Sequence, residues 1–157
     1  MKNIQHSGLR WLGLTGVIVF LDHITKYLAI KHLVASIAYP IFPGLNLTLS
    51  FNTGAAFGFL NESSGWQEWF FGGIAVIVSL ALLVWLYRLS HQQYRLCIGL
   101  SFIIGGAWGN VYDRVMAGQV TDFIQVYVSH FYWPTFNLAD SAICIGAALL
   151  LISGRRL

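Results

Sequence analysis

Residues 105–140 read GGAWGNVYDRVMAGQVTDFIQVYVSHFYWPTFNLAD. The stretch opens inside one apolar run and closes on the first turn of another. Between the two stand Asp113, Asp122 and Asp140, with Asn110 and Asn137. In a chain that is only 10% charged, so much acid in one stretch points to a site. We read Asp122 and Asp140 as two carboxylates that share it at a membrane surface, with the rest of the chain holding them there.

Outward from this stretch the chain is apolar. Its 157 residues suit a single domain, 1–157. The hydrophobic share of 57% exceeds the ~45–50% usual for soluble domains. Four segments, roughly 9–30, 69–89, 96–112 and 136–153, approach the ~20 apolar residues that ~30 Å of hydrocarbon requires. The expected fold class is therefore an all-α membrane protein with four transmembrane helices. Trp11, Trp66, Trp69, Trp85 and Trp133 fall near the proposed ends, as interfacial aromatics do. The net charge of +3 comes without any Lys/Arg run, so no nucleic-acid footprint is present. Cys97 and Cys144 lie in apolar stretches and read as packing residues rather than a disulfide framework.

Orientation follows from the cations. Lys2, Arg10, Arg88, Arg95, Arg155 and Arg156 fall on the side of the termini, while Lys26, Lys31 and Arg114 fall on the other. The positive-inside bias puts both termini in the cytoplasm. All the acids (Asp22, Glu62, Glu68, Asp113, Asp122 and Asp140) fall on or near the outer side. The first segment resembles a signal peptide in charge, but Asp22, His23, Lys26 and Lys31 precede any small-residue cleavage site, so it is expected to be retained. In the first outer loop Leu45, Leu47, Leu49 and Phe51 alternate with Asn46, Thr48, Ser50 and Asn52, a strand with one apolar face. Val120, Ile124, Val126 and Val128 mark a partner, so a small antiparallel sheet is expected on the outer surface. Sequons at Asn46 and Asn61 matter only in a glycosylating host. No repeat or low-complexity segment is visible.

Each polar residue has a structural reading beside its chemical one. Asp22 and Lys26, four apart on one helical face, offset each other's cost near lipid, which suits a supporting role. Gly105 and Gly109 form a GxxxG that permits close helix approach. Asn110 and Asp113 share a face beside Arg114, either as an interhelical clamp or in substrate binding. Asp122 sits in the register of Val120, Ile124 and Val126, so as part of a strand its carboxylate points with the apolar face. The alternative is a cap in which Thr121 or Asp122 opens a short helix. Asn137 reads as an N-cap with Asp140 as third helical residue, where a carboxylate favours the helix dipole. Two carboxylates in one site share a proton. The ionised one can deprotonate water while its partner polarises a carbonyl and later serves the leaving amine; the titration belongs to the pair.

Other chemistries fit less well. HExxH is absent and His6, His23, His32, His91 and His130 are scattered, which disfavours a zinc protease. No GxSxG elbow is present, and Lys2, Lys26 and Lys31 leave little for a Ser–Lys mechanism. A Mg²⁺ or Ca²⁺ site on Asp113, Asp122 and Asp140 is an open alternative. A cation-coupled transporter would put its acids at mid-bilayer depth and usually carry a repeat. A lipid-binding bundle would make Asp122 and Asp140 replaceable caps.

Together the motifs resemble the lipoprotein signal peptidase (signal peptidase II) family of bacterial membrane aspartyl peptidases. The likeness runs through Asp22-His-Ile-Thr-Lys26, Asn52-Thr-Gly-Ala-Ala-Phe57, Gly105-Gly-Ala-Trp-Gly-Asn-Val-Tyr-Asp-Arg114, Val120-Thr-Asp-Phe-Ile124 and Phe136-Asn-Leu-Ala-Asp140. His23 stands where the family often has Gln. The resemblance implies removal of signal peptides from diacylglyceryl-modified prolipoproteins just before the lipidated cysteine. It implies Asp122 and Asp140 as the catalytic dyad. It implies substrate-binding or supporting roles for Asp22, Lys26, Asn52, Gly54, Gly106, Asn110, Asp113, Arg114 and Asn137. No cofactor or metal is expected. The implied partners are the prolipoprotein, membrane lipid and globomycin-type cyclic peptide inhibitors; nucleic acid is not among them, and the chain is expected to act as a monomer. The implied location is the bacterial cytoplasmic (inner) membrane, with the site at the outer face. An apolar groove between helices would take the acyl chains, the outer strand could pair with extended peptide backbone, and residues 57–60 could move as a lid.

Overall fold

Ser7 opens the helical part of the chain. Its Oγ accepts the Leu9 backbone N–H at 3.3 Å and starts a 3-10 turn, Gly8–Trp11, that runs straight into α1, Leu12–His32. The structure, a computed structural model, describes residues 6–53 and 66–154. The expectations for Gly54, for the 57–60 lid and for the Asn61 sequon lie outside the described residues. Three more helices follow: α2, Trp66–Arg88; α3, Tyr94–Ala117; and α4, Leu138–Gly154. Strands β1, Ala38–Phe42, and β2, Leu45–Asn52, lie between α1 and α2; β3, Val120–Val128, and β4, Phe131–Tyr132, lie between α3 and α4.

Helix α3 is the centre of the bundle and packs against α1, α2 and α4. Small residues let its neighbours approach. Gly105 meets Ile18 and Thr15 of α1, and a β-carbon at Gly106 would collide with the Ala139 carbonyl of α4. A β-carbon at Gly109 would come within 2.5 Å of Asp22 Oδ2 and 3.3 Å of Ala139 Cβ, so the GxxxG holds α1 and α4 together on one face of α3. At the far end Leu86, Leu89, Leu96, Cys97, Leu100 and Ile104 form a buried apolar cluster. Cys97 is packing, as expected, and both cysteines are free.

The outward faces are apolar and uncovered: Phe20 is 61% exposed, Ile77 69% and Leu151 73%. Two helical spans, Gly8–His32 and Trp69–Arg88, are long and apolar enough to cross a membrane. Helix α4 is apolar but shorter, over Leu138–Ser153, and α3 carries the polar residues of the site.

The four strands pair antiparallel in the order β1-β2-β3-β4. The molecule is thus mostly helical with a four-stranded sheet, more β structure than an all-α reading with two paired strands. Strand β1 carries Pro40 and is an edge strand, the position where proline costs no ladder bond. Thr121 and Asp122 lie inside β3, which excludes the short helix they could have opened. Strand β2 is not regular. Leu47 faces Ile124, but three residues on Ser50 faces Asp122, only two residues back along β3. This bulge reverses the parity of β2, so that Ser50 and Asn52 join the face that Leu45 and Leu47 occupy before it. The other polar residues, Asn46 and Thr48, are buried rather than solvated and both donate to Gln125 Oε1, at 3.1 and 3.3 Å. Beneath the sheet Leu49 and Phe123 pack on Ala29 of α1.

Candidate active site

Lys26 is 2% exposed and has three N–H bonds to give. Three oxygens receive them: Asp22 Oδ2 at 2.7 Å, Asp113 Oδ2 at 3.0 Å and Asn110 Oδ1 at 3.0 Å. The ammonium is saturated, and the buried carboxylate of Asp22 and the half-buried one of Asp113 are matched by one cation and several N–H donors. Asp22 Oδ1 accepts the Ala139 backbone N–H at 2.9 Å, so a side chain of α1 caps the first turn of α4. Asp113 Oδ2 accepts the Thr121 N–H at 3.1 Å and ties the end of α3 to the start of β3. Helix α3 runs past the expected end at 112 because Gly118, at φ 68, supplies the left-handed stop, its N–H bonding Arg114 O at 3.0 Å.

Asn110 carries this frame towards the acids. Lys26 and Asn137 Nδ2, the latter at 3.1 Å, both donate to its Oδ1. That fixes the amide, and its Nδ2 donates to Asp140 Oδ1 at 2.8 Å. Asn137 caps α4 as the sequence suggests: its Oδ1 accepts the Asp140 N–H at 2.9 Å, and Asp140 Oδ2 accepts the Asn137 N–H at 3.2 Å. This reciprocal pair is a capping box. The Asn137 Nδ2 group also donates to Asp122 Oδ1 at 2.8 Å and to Thr121 O at 3.3 Å. Both aspartates are therefore held through one asparagine. Asp122 Oδ2 accepts from Asn52 Nδ2 at 3.4 Å, a contact that exists because the β2 bulge turns Asn52 to this face.

Asp122 and Asp140 line one cavity of about 230 Å³. Val120, Phe136, Ile143 and Cys144 give it apolar walls, and Asn52 and Arg114 flank the acids. Arg114 also bonds its own helix, Nη1 to Asn110 O at 3.4 Å. Asp122 is 3% exposed. Burial, and then the neighbouring charge of Asp140, push its carboxyl up from an ordinary 3.8 to about 7, against the pull of Asn52, Asn137 and Lys26. One carboxyl that keeps its proton beside another that accepts N–H bonds is an arrangement suited to general acid and general base work on one water.

Of the residues picked from sequence, Asp22, Lys26, Asn52, Asn110, Asp113, Asp122, Asn137 and Asp140 form one connected hydrogen-bonded network, with Arg114 at its cavity. Gly106 sits behind the network as a packing contact with α4. The cation site open to Asp113, Asp122 and Asp140 is not assembled, because Asp113 turns to Lys26 and Thr121. Among the described residues no three His, Cys, Asp or Glu side chains converge as metal ligands. Sequence reasoning missed Ser50, Thr135 and Cys144 near the acids. Cys144 could have been found, since it lies one helical turn beyond Asp140 on the same face.

The signal peptidase (SPase) II family model matches residues 14–155. The lipoprotein signal peptidase of Yersinia pestis (strain Pestoides F) is 48% identical over 153 residues, covering 98% of this chain and 90% of the relative. That of Yersinia pseudotuberculosis serotype O:3 (strain YPIII) matches to the same extent, 48% over 153 residues. A bacterial membrane enzyme solved by the in meso method at 2.3 Å resolution superposes with a TM-score of 0.83 at 31% identity, over 94% of this chain and 88% of that one. A second, at 1.9 Å resolution, gives 0.80 at 31% identity, over 92% and 91%.

Proposed function

The chain belongs to the signal peptidase (SPase) II family, and we propose that it is an aspartic endopeptidase that removes signal peptides from diacylglyceryl-modified prolipoproteins, cutting before the lipidated cysteine. The observation that carries the mechanism is the shared suspension of Asp122 and Asp140 on Asn137 at one cavity. Burial favours the protonated form of Asp122, while Asp140 takes N–H bonds from Asn110 and Asn137. Asp140 removes a proton from water as the oxygen attacks the scissile carbonyl, while Asp122 donates its hydrogen bond to the carbonyl oxygen. Collapse of the tetrahedral diol breaks the C–N bond, and a dyad proton passes to the leaving amine of the cysteine. Asn52 and Arg114 touch the peptide; Asn110 and Asn137 position the acids; Asp22, Lys26 and Asp113 hold the frame.

In this reading α1 to α4 all span the bacterial inner membrane. Both termini are cytoplasmic, and the sheet and dyad lie on the outer, periplasmic face. The uncovered apolar faces of α1, α2 and α4 and the Lys/Arg asymmetry support it. Globomycin-type cyclic peptides would inhibit by occupying the dyad cavity. The test is cleavage by the purified protein in detergent of one prolipoprotein prepared with and without its diacylglyceryl group. The lipidated form alone should be cut, at the peptide bond immediately before the cysteine. Equal cleavage of both forms, or of neither, would refute this specificity.

A further inference from the structure

We infer that Thr135 is a substrate-binding residue whose hydroxyl accepts a main-chain N–H of the prolipoprotein beside the scissile bond. The inference rests on the proposed function and adds a contact to that same site. Thr135 is half-buried and lines the cavity that holds Asp122 and Asp140. Its hydroxyl makes no hydrogen bond among the described residues, and it is not sealed from solvent. The segment around it is pinned on both sides. The Trp133 N–H donates to Val126 O at 2.8 Å and the Phe136 N–H to Ile124 O at 3.0 Å. Phe136 O in turn accepts the N–H groups of Phe123 at 3.0 Å and Ile124 at 2.8 Å, and the next residue, Asn137, caps α4. Pro134 has a fixed φ, and a β-branched side chain such as that of Thr135 has few χ1 states. A hydroxyl held in this way loses little freedom when a ligand takes it up.

An extended peptide brings N–H as well as C=O groups into the cavity, and each one that leaves water needs a partner. Donors for its carbonyls are at hand, since a guanidinium such as that of Arg114 can only donate. Acceptors for its N–H groups are scarce. Asn110 Oδ1 already takes Lys26 and Asn137. Asn52 has a further interaction besides its bond to Asp122. The carboxyl oxygens of Asp122 and Asp140 take N–H bonds from Asn52, Asn110 and Asn137, and the reaction itself occupies the rest of their capacity. The thiol of Cys144 is a weak acceptor. Ser50, opposite Asp122 in the β2–β3 pairing, does not line the cavity. Among the described side chains of the cavity, the Thr135 oxygen with its two lone pairs is the acceptor that remains.

The experiment measures kcat and KM of the purified protein in detergent on a diacylglyceryl prolipoprotein, for wild type, Thr135→Val, Thr135→Ala and Thr135→Ser. Loss of the hydroxyl should raise KM about tenfold in the Val and Ala variants, the scale of one hydrogen bond. Their kcat should stay within about twofold of wild type, because the contact is made equally in the ground and transition states. Thr135→Ser, which keeps the hydroxyl, should keep the wild-type KM. A second arm replaces single backbone amides of the substrate by esters on either side of the scissile bond, with that bond left intact. One ester should raise KM about tenfold in wild type and leave it unchanged in Thr135→Val. An unchanged KM in the Val and Ala variants, a fall in kcat at constant KM, or a loss in Thr135→Ser equal to theirs overturns the assignment. So do losses that multiply with Thr135→Val for every ester. The ester series on wild type needs no variant to fold, and a series in which no ester raises KM overturns the assignment by itself. Wild type that leaves the lipidated substrate uncut would instead refute the proposed function.

Discussion

Lys26 Nζ is where the polar site meets the fold. Removing it, as in Lys26→Met, leaves the buried carboxylate of Asp22 and the half-buried one of Asp113 without their cation. The expected loss is ~3–5 kcal/mol, the cost typical of breaking a buried pair, and thermal or denaturant melting in detergent would measure it. Loss below ~1 kcal/mol would mean that the two acids are not paired with Lys26 when folded. Asp122 makes a second prediction. Its folded carboxyl holds a proton up to about pH 7, whereas the unfolded one releases it near 3.8. Between those values the native state binds the extra proton, so stability falls as pH rises from about 4 to 7 and levels off above. Asp122→Asn should abolish this part of the slope. Asp140→Asn should only trim its upper end, because burial, the larger cause, remains. Melting temperatures from pH 4 to 8, compared as differences from wild type, decide between them. The i,i+4 spacing of Asp22 and Lys26 was legible in sequence, and so was the cap at Asn137. That Lys26 also reaches Asp113 and Asn110 was not, because those contacts cross from α1 to α3.

Among the elements, the β2 bulge and the α3–α4 contact set the site's geometry. The alternation over 45–52 announced a strand, but a bulge belongs to the pairing of two strands and leaves no mark in the period of one. Asn52 was picked through family likeness; strict alternation would have turned it away from Asp122. The end of α3 was misjudged for a different reason. Loss of apolarity after 112 suggested a stop, whereas the polar residues are paired internally and the helix continues to Gly118. Strand β1 hid behind Pro40, and β4, only two residues long, carries too little pattern to detect. The close approach at Gly106 gives a prediction on this scale. Gly106→Val forces α3 and α4 apart where Ala139 and Asp140 begin the helix. Cleavage should fall at least tenfold even in protein that still melts cooperatively. Near-normal kcat in Gly106→Val would show that the Asp140 position tolerates such a displacement.

For the whole molecule, the four helices and the gathering of Asp22, Asp113, Asp122 and Asp140 could be read from composition and period, because long apolar runs separated by short polar stretches leave few other arrangements. Orientation is the large-scale statement to check. Cysteines introduced at exposed His130, in the β3–β4 turn, and at exposed Gln92, between α2 and α3, should differ in intact spheroplasts. An impermeant maleimide should label His130→Cys above the parent's own thiol signal and leave Gln92→Cys at the parent level until the cells are lysed. The reverse pattern would invert the topology and put the dyad on the cytoplasmic side. Above all, the molecule is read as a frame built to hold two carboxylates. Cleavage of a purified diacylglyceryl prolipoprotein by wild type, Asp122→Asn and Asp140→Asn, with each melt recorded, tests this most directly. Loss of at least a thousandfold in rate in both variants, with both still folded, is the predicted result. Cleavage that survives either substitution at more than a tenth of the wild-type rate would contradict the dyad.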